Sequence, residues 1–84
     1  MNVMEEIVER MKDVISHDHP NRKIRDKHVA LALSIRPDSL CVKKAKGLIP
    51  YEEVVMFCLR RKISVNWMLF GIGQMEMSNA VKGL

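Results

Sequence analysis

The sequence predicts a compact all-α domain built from five helices. Three observations predict this fold class: apolar residues recur at helical spacing, capping and helix-ending residues flank those stretches, and no stretch shows the alternation typical of a β-strand. The chain has 84 residues, enough for one domain with a modest core. Only 5% of them are aromatic, so we expect Val, Ile, Leu and Met to fill that core.

The first predicted helix runs over residues 1–15. Asn2 is a suitable N-cap, and Glu5, three residues later, completes a capping-box pattern. One face carries a stripe that we expect to be buried, consisting of Met4, Ile7, Val8, Met11, Val14 and Ile15. A polar connection over residues 16–23, broken by Pro20, is expected to follow this helix.

Residues 25–46 predict two short helices that meet at a tight corner. Ala30 is small enough to let the two backbones approach closely, and Leu40 of the second helix points to the same core. Pro37 suits the first position of that helix, because its missing N–H would be unpaired there anyway. Ser34 stands at the corner, where a left-handed backbone usually favours Gly. These spacings predict a helix-turn-helix unit, whose second helix enters the DNA major groove; an ordinary helical hairpin is the alternative.

Two more helices are predicted after this unit. Pro50 begins the fourth helix, whose buried side we expect to hold Val54, Val55, Phe57, Cys58 and Leu59. Ser64 is a good N-cap for the fifth helix, and Trp67 is expected to anchor it in the core. Gly71 and Gly73 end that helix.

Positive charge is concentrated in the middle of the chain. The net charge is +4, yet residues 21–62 hold eleven Lys and Arg against four Asp and Glu. This excess coincides with the predicted helix-turn-helix unit, and clustered basic side chains suit contacts with phosphates. The alternative is a solvated basic face that has no partner.

A longer pattern follows the predicted corner. The second helix of the unit is followed by Gly47, by Ile49-Pro50 at the start of the fourth helix, and by residues 63–69 (ISVNWML) and 71–73 (GIG). Over roughly residues 5–74 this pattern closely resembles the DNA-binding domain of phage CI-type repressors, which belong to the lambda-repressor-like helix-turn-helix family. The resemblance implies a five-helix domain whose third helix reads operator DNA, usually as a homodimer on a two-fold site.

Helix geometry assigns roles within this unit. The third helix is predicted over residues 37–46, and its exposed side chains are expected to meet base edges and phosphates of double-stranded DNA. We expect base contacts from Arg36, Asp38, Ser39, Val42 and Lys43. We expect phosphate contacts from Arg22, Arg25, Lys27, Lys44 and Lys46. Asp38 has an alternative role, since an acid in the first turn also stabilises a helix end.

The predicted DNA-binding domain covers residues 1–73. Residues 74–84 form a C-terminal tail that we expect to be either helical or part of a dimer contact; a frayed terminus is the alternative. The apolar tail residues that motivate a homodimer are Met75, Met77, Val81 and Leu84. No apolar run approaches the length of a membrane span and the chain starts without a signal-peptide pattern, so we expect a cytoplasmic location.

The residue patterns do not indicate an enzyme. There is no Gly-rich phosphate loop and no nucleophile with a plausible base, and we expect no cofactor, metal ion or small-molecule substrate. His17, Asp18 and His19 are crowded into one connection and form no metal-ligand spacing. The second functional class is a protein-interaction module, antitoxin-like or adaptor. Such a module would be expected to expose an apolar groove in place of Lys43, Lys44 and Lys46.

Overall fold

The structure, a computed structural model, describes residues 1–77, and within them the regular elements are five α-helices. These are α1 (Val3–Asp18), α2 (Asp26–Ala32), α3 (Pro37–Lys46), α4 (Tyr51–Arg61) and α5 (Val65–Phe70). The all-α class predicted from the sequence is therefore confirmed for this part of the chain. Among the helices of residues 1–77, none combines the length and the apolar character needed to cross a membrane.

α1 is the longest helix and forms one side of the core. Its predicted capping box is present: the Asn2 side chain accepts from the Glu5 N–H at 2.9 Å, and the Glu5 side chain accepts from the Asn2 N–H at 2.8 Å. The predicted apolar stripe of α1 is buried throughout. The helix continues to Asp18, three residues beyond its predicted end. Its last turn is stabilised by an ion pair between Asp18 and Arg61 of α4.

All five helices contribute side chains to one apolar core. Besides the α1 stripe, the buried residues are Val29, Ala30, Leu33, Leu40, Val54, Phe57, Cys58, Ile63 and Met68. Among the described residues no polar or charged residue is buried. Cys58 is a core residue, as predicted, and burial raises the pKa of its thiol. Trp67 is only half-buried and packs against the edge of this core.

Three details of α4 differ from the prediction. Val55 was expected on the buried side but is only partly buried. Leu59 was expected on the buried side, but its side chain is 55% exposed. At 100° per residue, Leu59 lies about 140° around the helix from the fully buried Val54, so it faces solvent. Pro50 precedes α4 as its N-cap residue and is not its first helical residue.

Arginine side chains from longer helices donate hydrogen bonds to carbonyl oxygens at the ends of the two shortest helices. Arg60 of α4 donates to the Ala32 carbonyl oxygen, at the end of α2, at 2.9 Å. Arg10 of α1 donates to the carbonyl oxygens of Met68 and Leu69, in α5, at 2.8 and 3.2 Å. The last carbonyl groups of a helix have no partner within it, so these bonds satisfy acceptors that would otherwise need water.

The first residues of the tail are hydrogen-bonded to the segment before α5. The Ser64 N–H donates to the Met75 carbonyl oxygen at 2.8 Å, and the Met77 N–H donates to the Lys62 carbonyl oxygen at 3.1 Å. Ile63 and Glu76 form an isolated antiparallel bridge between these bonds. Up to Met77 the tail is therefore paired with the segment before α5, and it is not helical. Two tail residues expected in a dimer contact, Val81 and Leu84, lie outside the described residues.

Candidate nucleic-acid interface

A four-residue corner, residues 33–36, joins α2 to α3. Ser34 has a φ of 59°, which is the left-handed conformation that the sequence predicts at the corner. The Ser34 N–H donates to the Leu31 carbonyl oxygen, and the Ile35 N–H donates to the Ala30 carbonyl oxygen, both at 3.0 Å. Ala30 is fully buried beneath the corner. α2 and α3 therefore form one closely packed unit, as the sequence predicts.

α3 has one side in the core and the opposite side in solvent. Leu40 is fully buried. Four residues lie roughly 100–200° around the helix from Leu40 and are exposed. We call this set the outward face of α3: Asp38, Cys41, Val42 and Ala45. A second set, which we call the basic edge of α3, lies beside that face: Arg36, Lys43 and Lys46.

The end of α3 is attached to the start of α1 through Asn2. While the Asn2 Oδ1 caps α1, its Nδ2 donates to the Lys44 carbonyl oxygen at 2.7 Å. α3 ends at Gly47, whose φ of 69° favours glycine. A Cβ built on Gly47 would lie 3.6 Å from the Asn2 side chain. The C-terminal end of α3 is thus held close against the first turn of α1.

A carboxylate at the start of α2 connects three helices. Asp26 Oδ1 lies 2.7 Å from Lys12 Nζ of α1, and Asp26 Oδ2 lies 2.7 Å from Lys44 Nζ of α3. The hydrogen bonds from Lys12 and then from Lys44 lower the pKa of Asp26 below its ordinary value. The bond to Asp26 likewise raises the pKa of Lys12. Both amines favour the ionised carboxylate, so this cluster fixes α2 and α3 against α1 at neutral pH.

One helix and its N-cap carry all five side chains predicted to contact bases. Arg36 and Asp38 are exposed and form an ion pair, with Arg36 Nε 3.3 Å from Asp38 Oδ1. The Ser39 N–H donates to the same Asp38 oxygen at 3.1 Å. Val42 is on the outward face, and Lys43 is half-buried on the basic edge. The predicted base-contact set is therefore contiguous on the surface of α3.

The predicted phosphate contacts fall into two groups. Arg22, Arg25, Lys27 and Lys46 are exposed. Lys44 differs, because its side chain is only 26% exposed and its amine pairs with Asp26. A phosphate would have to break this ion pair to bind Lys44, so the position of Lys44 argues for a structural role. Asp26 was not singled out as a site residue from the sequence, and both of its partners, Lys12 and Lys44, were missed.

The site offers positive charge and hydrogen-bond donors, and within residues 1–77 no group of three His, Cys, Asp or Glu side chains could hold a metal ion. Such a surface is chemically suited to an extended anion. In comparisons with protein-family models, curated proteins and solved structures, no match to this chain was found. The kinship with phage CI-type repressors therefore stays a prediction.

Proposed function

We propose that the protein is a sequence-specific DNA-binding transcriptional regulator of the repressor type, which inserts α3 into the major groove of double-stranded DNA. The observation that carries this proposal is the basic edge of α3, where Arg36 and Lys46 are exposed and Lys43 is half-buried, next to an outward face that has no packing role. An α-helix is about 10–12 Å wide with its side chains, and the major groove is about 12 Å wide, so α3 fits that groove.

The contacts beneath α3 support the same function. Leu40, the Asn2 bond and the Asp26 cluster all hold the inner side of α3, so its outer side chains project from a rigid support. Arg25 and Lys27, at the start of α2, are exposed and available to phosphates on one side of the groove. Preorganised contacts of this kind reduce the entropy lost on binding.

In this proposal the domain is a lambda-repressor-like helix-turn-helix fold, and it acts as a homodimer on a two-fold DNA site. Two copies of α3 would then read two half-sites about 34 Å apart, which is one turn of the double helix. The protein acts by binding in the cytoplasm and has no catalytic role.

A protein-interaction module of antitoxin-like or adaptor type is the second candidate. The observation that favours it is the apolar character of the outward face, where Cys41, Val42 and Ala45 are exposed. The basic edge beside that face would then require an acidic partner protein.

The deciding experiment measures binding of the purified protein to a randomised duplex pool by fluorescence anisotropy, at about 50 and about 200 mM salt. Bound duplexes are then selected and sequenced. We expect enrichment of a two-fold symmetric site and a steep loss of affinity as salt rises. Absence of binding at the lower salt concentration would contradict DNA binding and favour the interaction module.

Two exposed arginines provide a matched pair of variants. Arg36→Ala is expected to bring the affinities for the selected site and for random duplex to the same value, because a guanine contact is lost. Arg22→Ala is expected to weaken binding to both duplexes by the same factor, because phosphates carry no sequence information. If both variants lose the same factor on both duplexes, Arg36 does not read bases.

A further inference from the structure

The outward face of α3 has few hydrogen-bonding atoms. Val42 and Ala45 carry none in their side chains, and the Cys41 thiol is a weak donor. Val42 is 48% exposed although it is fully apolar, and no packing role accounts for it. Only Asp38, at the N-terminal end of the face, can accept a strong hydrogen bond.

An apolar side chain in the major groove can recognise only one chemical group on the bases. The edges of guanine, cytosine and adenine present donors and acceptors there, whereas thymine also presents its C5-methyl group. A methyl group and a valine side chain attract each other by excluding water. Pairing Val42 with any other base edge would leave a polar atom without a partner, which is costly.

The charges beside the outward face favour DNA as its occupant. Arg36, Lys43 and Lys46 line the adjoining edge of the same helix, so this edge would attract negative charge on a molecule that covers Val42. Duplex DNA places phosphates on both sides of a groove whose floor bears the thymine methyl groups. Duplex DNA would therefore supply both the negative charge for the basic edge and the apolar contact for the outward face.

We propose that the outward face of α3 recognises thymine methyl groups, with Val42 as the central contact and Ala45 beside it, so that the half-site contains at least one T·A pair facing these two residues. This inference rests on the proposed DNA-binding function and specifies which base the site takes. It makes Val42 a specificity-determining residue that acts through a single methyl group.

The test replaces thymine by deoxyuridine, which removes only the C5-methyl group. Duplexes selected from the random pool are resynthesised with uracil at one position at a time, and their affinities are measured by fluorescence anisotropy. For the wild-type protein we expect about a fourfold loss at one or more positions of each half-site, the effect of one buried methyl group. For Val42→Ala the same replacement is expected to change affinity less than about twofold, because the contact is already gone.

Val3→Ala is the matched control, because Val3 is 47% exposed and lies on α1. This variant is expected to keep the full loss on uracil replacement. Alanine is a strong helix former, so both variants should fold, which circular dichroism will verify. Specific, salt-dependent binding that is indifferent to uracil at every position, or selected half-sites without thymine, would overturn the thymine inference and leave DNA binding intact. If the protein bound polyglutamate but no duplex, and Val42→Ala weakened that binding, both the thymine inference and the proposed DNA binding would be wrong. The result would favour an acidic protein partner.

Discussion

Asn2 and Lys44 are 42 positions apart in the chain and are joined by a hydrogen bond of 2.7 Å from Asn2 Nδ2 to the Lys44 carbonyl oxygen. The other atom of the same amide, Oδ1, accepts the Glu5 N–H and caps α1. One side chain therefore satisfies a donor at the beginning of α1 and an acceptor near the end of α3. Both are groups that a helix leaves without internal partners.

This double role predicts different losses for two substitutions. Asn2→Ser keeps a capping oxygen but is too short to reach Lys44, so we expect a loss of about 1 kcal/mol in the free energy of unfolding. Asn2→Ala loses both bonds, and we expect about 2 kcal/mol. Urea unfolding measures both values. If the two variants lost the same free energy of unfolding, the capping bond to Glu5 would contribute nothing. If Asn2→Ser were as stable as the wild-type protein, the bond to Lys44 would contribute nothing.

Two lysines of α3 are expected to separate stability from DNA binding. Lys44→Ala breaks the ion pair with Asp26, so we expect it to lower the free energy of unfolding by about 0.5–1 kcal/mol with little change in the salt dependence of DNA binding. Lys46→Ala removes an exposed cation, so we expect little change in stability and a salt slope lower by about one unit. Unfolding curves and anisotropy titrations at several salt concentrations check both. If Lys44→Ala lowered the salt slope while Lys46→Ala lowered the stability, Lys44 would be the lysine that contacts a phosphate.

Asp38 is expected to limit non-specific binding. Its carboxylate pairs with Arg36 and adds negative charge where DNA would approach. Asp38→Asn should therefore bind random duplex about two- to fivefold more tightly and discriminate less between selected and random sites. Asp13→Asn changes the net charge equally on exposed α1 surface, and it should affect both duplexes little. If the two variants behave alike, Asp38 acts only through net charge.

Acid is expected to weaken the cluster around Asp26. The folded-state pKa of Asp26 lies below its ordinary value of 3.8, so its stabilisation is present above that value and is lost as pH falls through the lower folded-state pKa. Asp26→Asn should cost about 1 kcal/mol at pH 7, where two partly exposed ion pairs are lost, and less as pH falls below about 4. Urea midpoints of both proteins from pH 7 to pH 3 test this. If the urea midpoints of the two proteins changed in parallel with pH, the predicted contribution of Asp26 would be wrong.

Two serines should respond oppositely to glycine. Ser34 has a φ of 59°, a conformation that costs a residue with a Cβ about 1 kcal/mol, so Ser34→Gly should stabilise the protein by about 0.5–1 kcal/mol. Ser39 lies inside α3, and Ser39→Gly should destabilise it by about 0.5 kcal/mol. Thermal unfolding of the two variants measures both changes. If Ser34→Gly destabilised the protein, the Ser34 side chain would stabilise the fold by more than its left-handed backbone destabilises it.

Local patterns predicted most of the framework. The apolar stripe of α1, its capping box, Pro37 at the start of α3 and Gly47 at its end all follow from spacings within one or two turns of helix. Such features depend on neighbours in the sequence, so they can be recognised without knowing the fold. Leu59 was predicted wrongly because its apolar character was weighed above its angular position on α4.

The pairings between distant residues were beyond sequence reasoning. Asp26 meets Lys44 across 18 positions, and Asn2 meets Lys44 across 42, and neither pair has a spacing that marks it. The charge of Lys44 was visible in the sequence, but its partner depends on how α1, α2 and α3 pack. The position of the candidate residues on one helix could therefore be predicted, whereas the division of the lysines between support and surface required the structure.

The separation of the two sides of α3 also affects how readily its surface can change. Leu40 and the Lys44 contacts hold the helix from within, whereas Cys41, Val42 and Ala45 touch solvent. Substitutions at exposed positions without special contacts usually alter stability by less than about 0.5 kcal/mol. Cys41, Val42 and Ala45 can therefore be varied in a library, among residues other than Pro and Gly, while the domain keeps its fold. If the proposed function holds, a few changes on one helix would therefore alter the binding preference without loss of the fold.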